Sequence, residues 1–189
     1  MKRDFLEDNL RAIEHLKQHL KVIGVVACYA CYCEGNVYNA AAVLQNQKLA
    51  GTYHKVEPPN YGVFDEKRYF QKGSEYFVFD LNQIVLATTM CEDTWIERGV
   101  VEQSVQTNSI DIVSKISASP FHGGKIEIPL EVADRLAHRA NAIVCFNNLD
   151  AGQEELVFDG GNLVMNPDAS LMVRPKRFQG GIFDCGRTD

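Results

Sequence analysis

Between residues 4 and 20, Phe5, Leu6, Leu10, Ile13, Leu16 and Leu20 recur at spacings of three and four with charged residues between them. This period predicts a surface helix with one apolar face. Val22 to Tyr32 is a nearly continuous apolar run, read as a buried strand and closed by a turn at Glu34-Gly35-Asn36. Short strands are predicted at Tyr38 to Leu44 and Leu49 to Tyr53, broken by Gln45-Asn46-Gln47-Lys48, and again at Phe77 to Leu81 and Ile84 to Met90 across Asn82-Gln83. Residues 97 to 107 read as a helix, Ser109 to Ile116 as a strand, Leu130 to Ala140 as a helix and Ala142 to Phe146 as a strand. Gly160 to Met165 and Leu171 to Arg174 form a last predicted hairpin around Asn166-Pro167-Asp168-Ala169.

Strands outnumber helices, and the two alternate only from 84 to 146, so the pattern favours an α/β sandwich over a doubly wound sheet. With 189 residues, 46% apolar and 23% charged, the chain suits a single globular domain at ~100–200 residues per domain. We assign the domain to 1–178 and expect the tail 179–189 to be disordered. The formal charge of −6 with no basic block argues against nucleic acid as a partner. No apolar run approaches the ~20 residues that cross a bilayer, and no signal-peptide core follows Met1, so a cytoplasmic protein without membrane contact is expected.

Six cysteines occur, at 28, 31, 33, 91, 145 and 185. Cys28-x-x-Cys31-x-Cys33 lacks a second pair at ligand spacing, so it is read as small buried thiols on and just beyond a core strand, and no metal site is expected. Cys91 differs because it directly follows the strand ending at Met90 and opens the polar run Cys91-Glu92-Asp93-Thr94. A thiolate there would be a strong nucleophile if a neighbouring cation or base lowered its pKa from ~8.5, although a lone cysteine after a strand is more often packing. Tyr53 to Phe70 is the densest irregular stretch, with two prolines and several aromatics. Long irregular segments within a compact domain are functional or disordered, and the aromatics argue against disorder. Lys55 follows a strand immediately and could stand in a cleft beside Cys91; a solvated strand-end lysine is the alternative.

Four ordered motifs then bear on that choice: Lys55 followed by Pro59-Asn60-Tyr61-Gly62-Val63-Phe64-Asp65-Glu66-Lys67-Arg68-Tyr69-Phe70, then Cys91-Glu92-Asp93-x-Trp95, then Ser119-Pro120-Phe121-His122-x-Gly124-Lys125, and finally Gly152-Gln153-x-Glu155-Leu156-Val157-Phe158-Asp159-Gly160-Gly161. Together they resemble the carbon–nitrogen hydrolase (nitrilase) superfamily, and within it the glutaminase domains of glutamine-dependent NAD+ synthetases. Pro58 and Lys72-Gly73 depart from the usual pattern without touching the named chemistry. The resemblance implies a nitrilase-like α-β-β-α sandwich, here incomplete at the N-terminus. It implies that Cys91 is the nucleophile and Lys55 the triad lysine, that Glu66 assists by orienting Lys55, and that the backbone N–H of Glu92 stabilises an oxyanion. Tyr61, Ser119 and Lys125 match positions that hold glutamine. A surface ion pair from Glu66 to Lys67 or Arg68 is its alternative role, and turn or loop roles are the alternatives for Ser119 and Lys125.

The resemblance also implies a general-base glutamate near the end of a strand that would precede the helix at 4–20, and no counterpart is read in this sequence; Glu7 and Glu14 lie on that helix and are poor substitutes. No cofactor is expected for glutamine hydrolysis. ATP and Mg would enter only through a synthetase domain, for which no pyrophosphatase loop is read here. The expected partners are glutamine, an NAD+ synthetase domain or subunit, and further copies of the chain in a homo-oligomer. The alternatives are a stand-alone amidase of the same superfamily and an inactive truncated fragment or pseudoenzyme.

Overall fold

The helix with one apolar face forms as the spacing predicts: α1 spans Arg3–His19. The structure is a computed structural model that describes residues 1–95, 104, 109–124 and 127–186. Ile13 and Leu20 pack on Tyr29, Cys31, Ala40, Ala42 and Leu44, yet no residue of α1 is itself buried. A turn between two strands closes the helix: the Gln47 N–H donates to the Leu20 carbonyl at 2.9 Å, and the Gln47 side chain to the Gln18 carbonyl at 2.7 Å. That satisfies carbonyls the last turn would otherwise leave open.

Beneath α1 lies an antiparallel sheet of β1 (Val25–Cys33), β2 (Asn36–Gln45) and β3 (Lys48–His54), in that order. The connections Glu34-Gly35 and Asn46-Gln47 have positive φ at both residues, as does Asn82-Gln83 in the next sheet. This is the twist that two-residue hairpins prefer. Val22 and Ile23, expected within the first strand, precede it and are exposed. The expectation of small buried thiols holds for Cys31 and fails for Cys28 and Cys33, which are exposed. Cys31 faces the α1 cluster, whereas Cys28 lies on the opposite face of an edge strand and Cys33 at its end.

The second sheet contains β4 (Phe77–Leu81), β5 (Ile84–Met90), β6 (Ile112–Ser117), β7 (Ile143–Asn148), β10 (Leu163–Met165) and β11 (Leu171–Val173), ordered β11-β10-β7-β6-β5-β4. Strands β5, β6 and β7 are parallel. Between β6 and β7, helix α2 (Ile128–Ala140) crosses the outer face and buries Pro129, Val132, Ala133, Leu136, Ala137 and Ala140. It stops at Asn141, whose φ of +47° is the left-handed conformation asparagine tolerates at helix ends. The two sheets meet through Ala41 and Tyr53 on one side and Met90, Phe77 and Ile116 on the other. Gly51 is required there, since a Cβ would stand 1.9 Å from the Phe77 ring.

Sequence reading missed the hairpin β8 (Asp150–Gln153) and β9 (Leu156–Asp159), because β8 is exposed throughout and offers no alternation. The strand expected from Gly160 starts at Leu163, since Gly160 and Gly161 have φ of +67° and +69°. The predicted helix 97–107 lies outside the described residues but for Ser104. The fold is thus mixed α/β, with two α-helices among the described residues. Neither is long and apolar enough to cross a membrane.

Candidate active site

The ends of β3 and β5 converge between the two sheets. Lys55 follows β3, where its N–H donates to the Asn39 carbonyl at 2.9 Å and its carbonyl accepts the Gly73 N–H at 2.8 Å. Gly73 cannot carry a side chain, because a Cβ would lie 2.2 Å from the His54 carbonyl oxygen. These bonds hold the lysine on the inner side, only 3% exposed. Its Nζ pairs with Glu66 Oε1 at 2.7 Å, and Asn39 Nδ2 donates to Glu66 Oε2 at 3.1 Å. The alternative of a surface pair between Glu66 and Lys67 or Arg68 is therefore not the arrangement found. Glu66 opens a short 3-10 turn, Glu66–Arg68, anchored by its own N–H to the Pro59 carbonyl at 3.2 Å.

Cys91 opens a second 3-10 turn, Cys91–Thr94, directly after β5. Its φ is +44°, a setting unfavourable for a residue with a Cβ. Several bonds hold it there. Thr94 Oγ1 donates to the Cys91 carbonyl at 2.9 Å, and an Arg135 nitrogen from α2 donates to the Thr94 carbonyl at 2.7 Å. The buried Asp93 accepts from the Met90 N–H at 3.1 Å, the Tyr53 hydroxyl at 2.6 Å and the Glu57 N–H at 2.7 Å. Burial pushes the Asp93 carboxyl up to about 6 against the lowering effect of those donors and of Lys55.

Cys91 lines a cleft of about 650 Å³ together with Tyr61, Phe64, Glu92, Trp95, Ser119, Phe121 and Leu156. Tyr61 donates to Glu92 Oε2 at 2.7 Å, joining the lysine loop to the cysteine turn. Its phenol is pushed up to about 12, by desolvation first and the Glu92 carboxylate second. Ser119 is fixed by Asn148, whose Oδ1 accepts the Ser119 N–H at 2.8 Å and whose Nδ2 donates to the Ser119 carbonyl at 3.2 Å. Lys125 lies outside the described residues. Cys91, Tyr61, Glu92 and Ser119 thus face one cleft, with the Lys55–Glu66 pair bonded through Asn39 to the strand behind it. Among the described residues no group of His, Cys, Asp and Glu could hold a metal ion.

Sequence reasoning did not assign roles to Asn39, Asp93, Lys115 or Asn148. Asn39 interrupts the buried run Asn39-Ala40-Ala41-Ala42-Val43-Leu44, a polar residue at the mouth of an apolar strand, and that could have flagged it. Lys115 is buried within β6, donates to Ser117 Oγ at 2.6 Å and stands 4.2 Å over the Phe146 ring, beside a small recess that Cys91 and Ser119 also line. A charge in the middle of a predicted strand was its only signal. A thiol that opens on a cleft, with buried ammonium groups in the strand ends and sheet around it, has the kinds of groups that covalent acyl transfer uses.

The glutamine-dependent NAD(+) synthetase of Thermotoga maritima is 33% identical over 183 residues, covering 95% of this chain and 31% of that protein. The chain therefore spans about a third of the length of such relatives. In three dimensions it is similar to the glutamine-dependent NAD+ synthetase of Acinetobacter baumannii, with a TM-score of 0.87 and 32% identity over 95% of this chain and 34% of that one. An amidase of the nitrilase superfamily from Nesterenkonia AN1 shares the fold, with a TM-score of 0.79 and 19% identity over 92% of this chain and 66% of that one. The carbon–nitrogen hydrolase family profile matches residues 4–184, and the chain belongs to that family.

Proposed function

We propose that the chain is the glutamine-hydrolysing part of a glutamine-dependent NAD+ synthetase, folded as a nitrilase-type α-β-β-α sandwich. The observation that carries this reading is the buried Lys55–Glu66 pair placed with Cys91 at the junction of two sheets, in a chain 33% identical to such a synthetase. The Cys91 thiolate attacks the side-chain carbonyl of glutamine, forming a carbon–sulfur bond and a tetrahedral oxyanion. Lys55 and the Glu92 N–H stabilise that charge. The carbon–nitrogen bond breaks, ammonia leaves after taking up the proton that the Cys91 thiol gave up, and water cleaves the thioester to glutamate and free thiol. Tyr61, Ser119 and Lys125 hold the amino-acid end of glutamine. Hydrolysis needs no cofactor. The ammonia supplies an amidation that requires ATP and Mg on a synthetase domain or subunit, and the assembly is a cytoplasmic homo-oligomer.

One observation favours a second reading, in which this chain alone turns over slowly or not at all. The described carboxylates closest to Cys91 in sequence or in the site are all engaged: Glu66 with Lys55 and Asn39, Glu92 with Tyr61, and Asp93 with three donors. A positioned proton acceptor contributes typically ~10²–10⁴-fold to such a reaction. A stand-alone amidase with another substrate is separated by profiling carboxamides. Two assays on the chain and its Cys91→Ala variant decide among these readings. Glutamate and ammonia release that vanishes in the variant supports the glutaminase. Labelling of Cys91 by a glutamine-like diazo ketone without turnover supports a glutamine site in a slow chain. Absence of both overturns the proposal.

A further inference from the structure

Lys55 and Cys91 belong to different sheets with no strand pairing between them, so their relative position must be set by something other than backbone ladders. One side chain touches the backbone or side chain on every side of that junction. Asp93 is 1% exposed. Its Oδ2 accepts from the hydroxyl of Tyr53, two residues before Lys55, and from the N–H of Met90, the residue before Cys91, while its Oδ1 accepts from the N–H of Glu57, two residues after Lys55. A carboxylate that served only to cap its own turn would need the Met90 bond alone. The other two cross to the lysine side, and they span 40 and 36 residues of chain.

We propose that Asp93 is a positioning residue whose carboxylate fixes the left-handed Cys91 turn against the lysine strand and loop, and so sets the Lys55–Cys91 geometry. This rests on reading Cys91 as nucleophile and Lys55 as its partner. Three donors fill the two oxygens, and an asparagine, with one acceptor oxygen and an NH2 in place of the other, cannot accept all three and sets a donor against the Glu57 N–H or against Met90 and Tyr53. The groups that face the carboxylate are the Tyr53 hydroxyl, the Met90 and Glu57 N–H groups and the Lys55 charge. Burial raises its pKa to about 6, so the folded chain holds this proton more firmly than the unfolded chain does. As pH falls through that value, Asp93 contributes toward stability of the fold, while the clamp loses an acceptor. Reactivity at Cys91 and stability therefore move in opposite directions at this group, which a purely structural carboxylate would not produce.

The test is the rate of Cys91 alkylation by iodoacetamide across roughly pH 5 to 9, bracketing the thiol and carboxyl ranges. It is read by peptide mass spectrometry as a ratio to the exposed Cys33 of the same molecule, with thermal melting measured alongside. The wild-type ratio should fall below about pH 6 while the chain stays folded. In Asp93→Asn the ratio should drop about tenfold or more and lose that acid limb, since small misplacements of reacting groups are costly. In Tyr53→Phe the limb should move to higher pH, because the lost bond was lowering the carboxyl pKa. Should Asp93→Asn fail to fold, Tyr53→Phe decides by itself. An unchanged ratio and limb in a folded variant, or a limb that coincides with melting, overturns the proposal. If glutamine is neither hydrolysed nor mimicked by the diazo ketone at Cys91 but the alkylation pattern appears, the positioning role stands and the glutaminase reading falls.

Discussion

The sheet bearing Cys91 has six strands and lies under α2, six of whose residues are buried, whereas the sheet bearing Lys55 has three strands and lies under α1, none of whose residues is buried. Phe5, Leu10 and Leu16 of α1 are exposed, and among the described residues β1 pairs only with β2. Helices owe most of their stability in proteins to the apolar face they bury, so the cysteine half is the better anchored of the two. The lysine half gains its order at the site from the junction itself, through Tyr53, Ala41 and Met90 and through the bonds at Asp93. Cys91 thus stands on the firm side, and the placement of Lys55 depends on contact between the sheets.

The comparison breaks most sharply at Lys55. Replacing Lys55 by Met should lower Cys91-dependent turnover by about 10²–10³, the usual cost of one preorganised oxyanion donor. It also strands the Glu66 carboxylate beside Asn39, so a melting curve should show destabilisation as well. A variant with full turnover would remove Lys55 from the chemistry. In the cysteine half, Leu136→Ala in α2 should cost about 2–5 kcal/mol in a urea titration, since the side chain is buried among Val132, Val144 and Leu163. Its counterpart Ile13→Ala in α1, only partly buried, should cost about 1 kcal/mol or less. Equal costs for the two would show that the lysine half is anchored as firmly as the other.

Periodicity carried much of this architecture in the sequence. Spacings of three and four located α1 and α2, and positive-φ turn pairs such as Asn46-Gln47 fell where alternation broke. It failed where burial was uneven: β8 has no buried face, and Cys28 is exposed within an apolar run whose neighbours on the same face, Val26 and Ala30, are half-buried and buried. Neither Lys55 nor Cys91 could be assigned from pattern; their pairing rested on the four motifs. Asp93 was legible only as part of such a motif. Its partners lie 36 and 40 residues away, and no local rule ties an aspartate to a tyrosine at that distance. Asn39 and Asn148 act the same way, through bonds between distant loops and strand ends.

The backbone at Cys91 has one more consequence, for how this position would evolve. At φ of +44° a residue with a Cβ sits about 1–2 kcal/mol above what glycine would. Cys91→Gly should therefore leave a chain that melts at a higher temperature and hydrolyses nothing; a lower melting temperature would show that thiol packing outweighs the strain. In a lineage released from selection for catalysis, drift would favour glycine or asparagine here. If Cys91 acts as the proposed nucleophile, the codon for residue 91 is thus under opposing pressures.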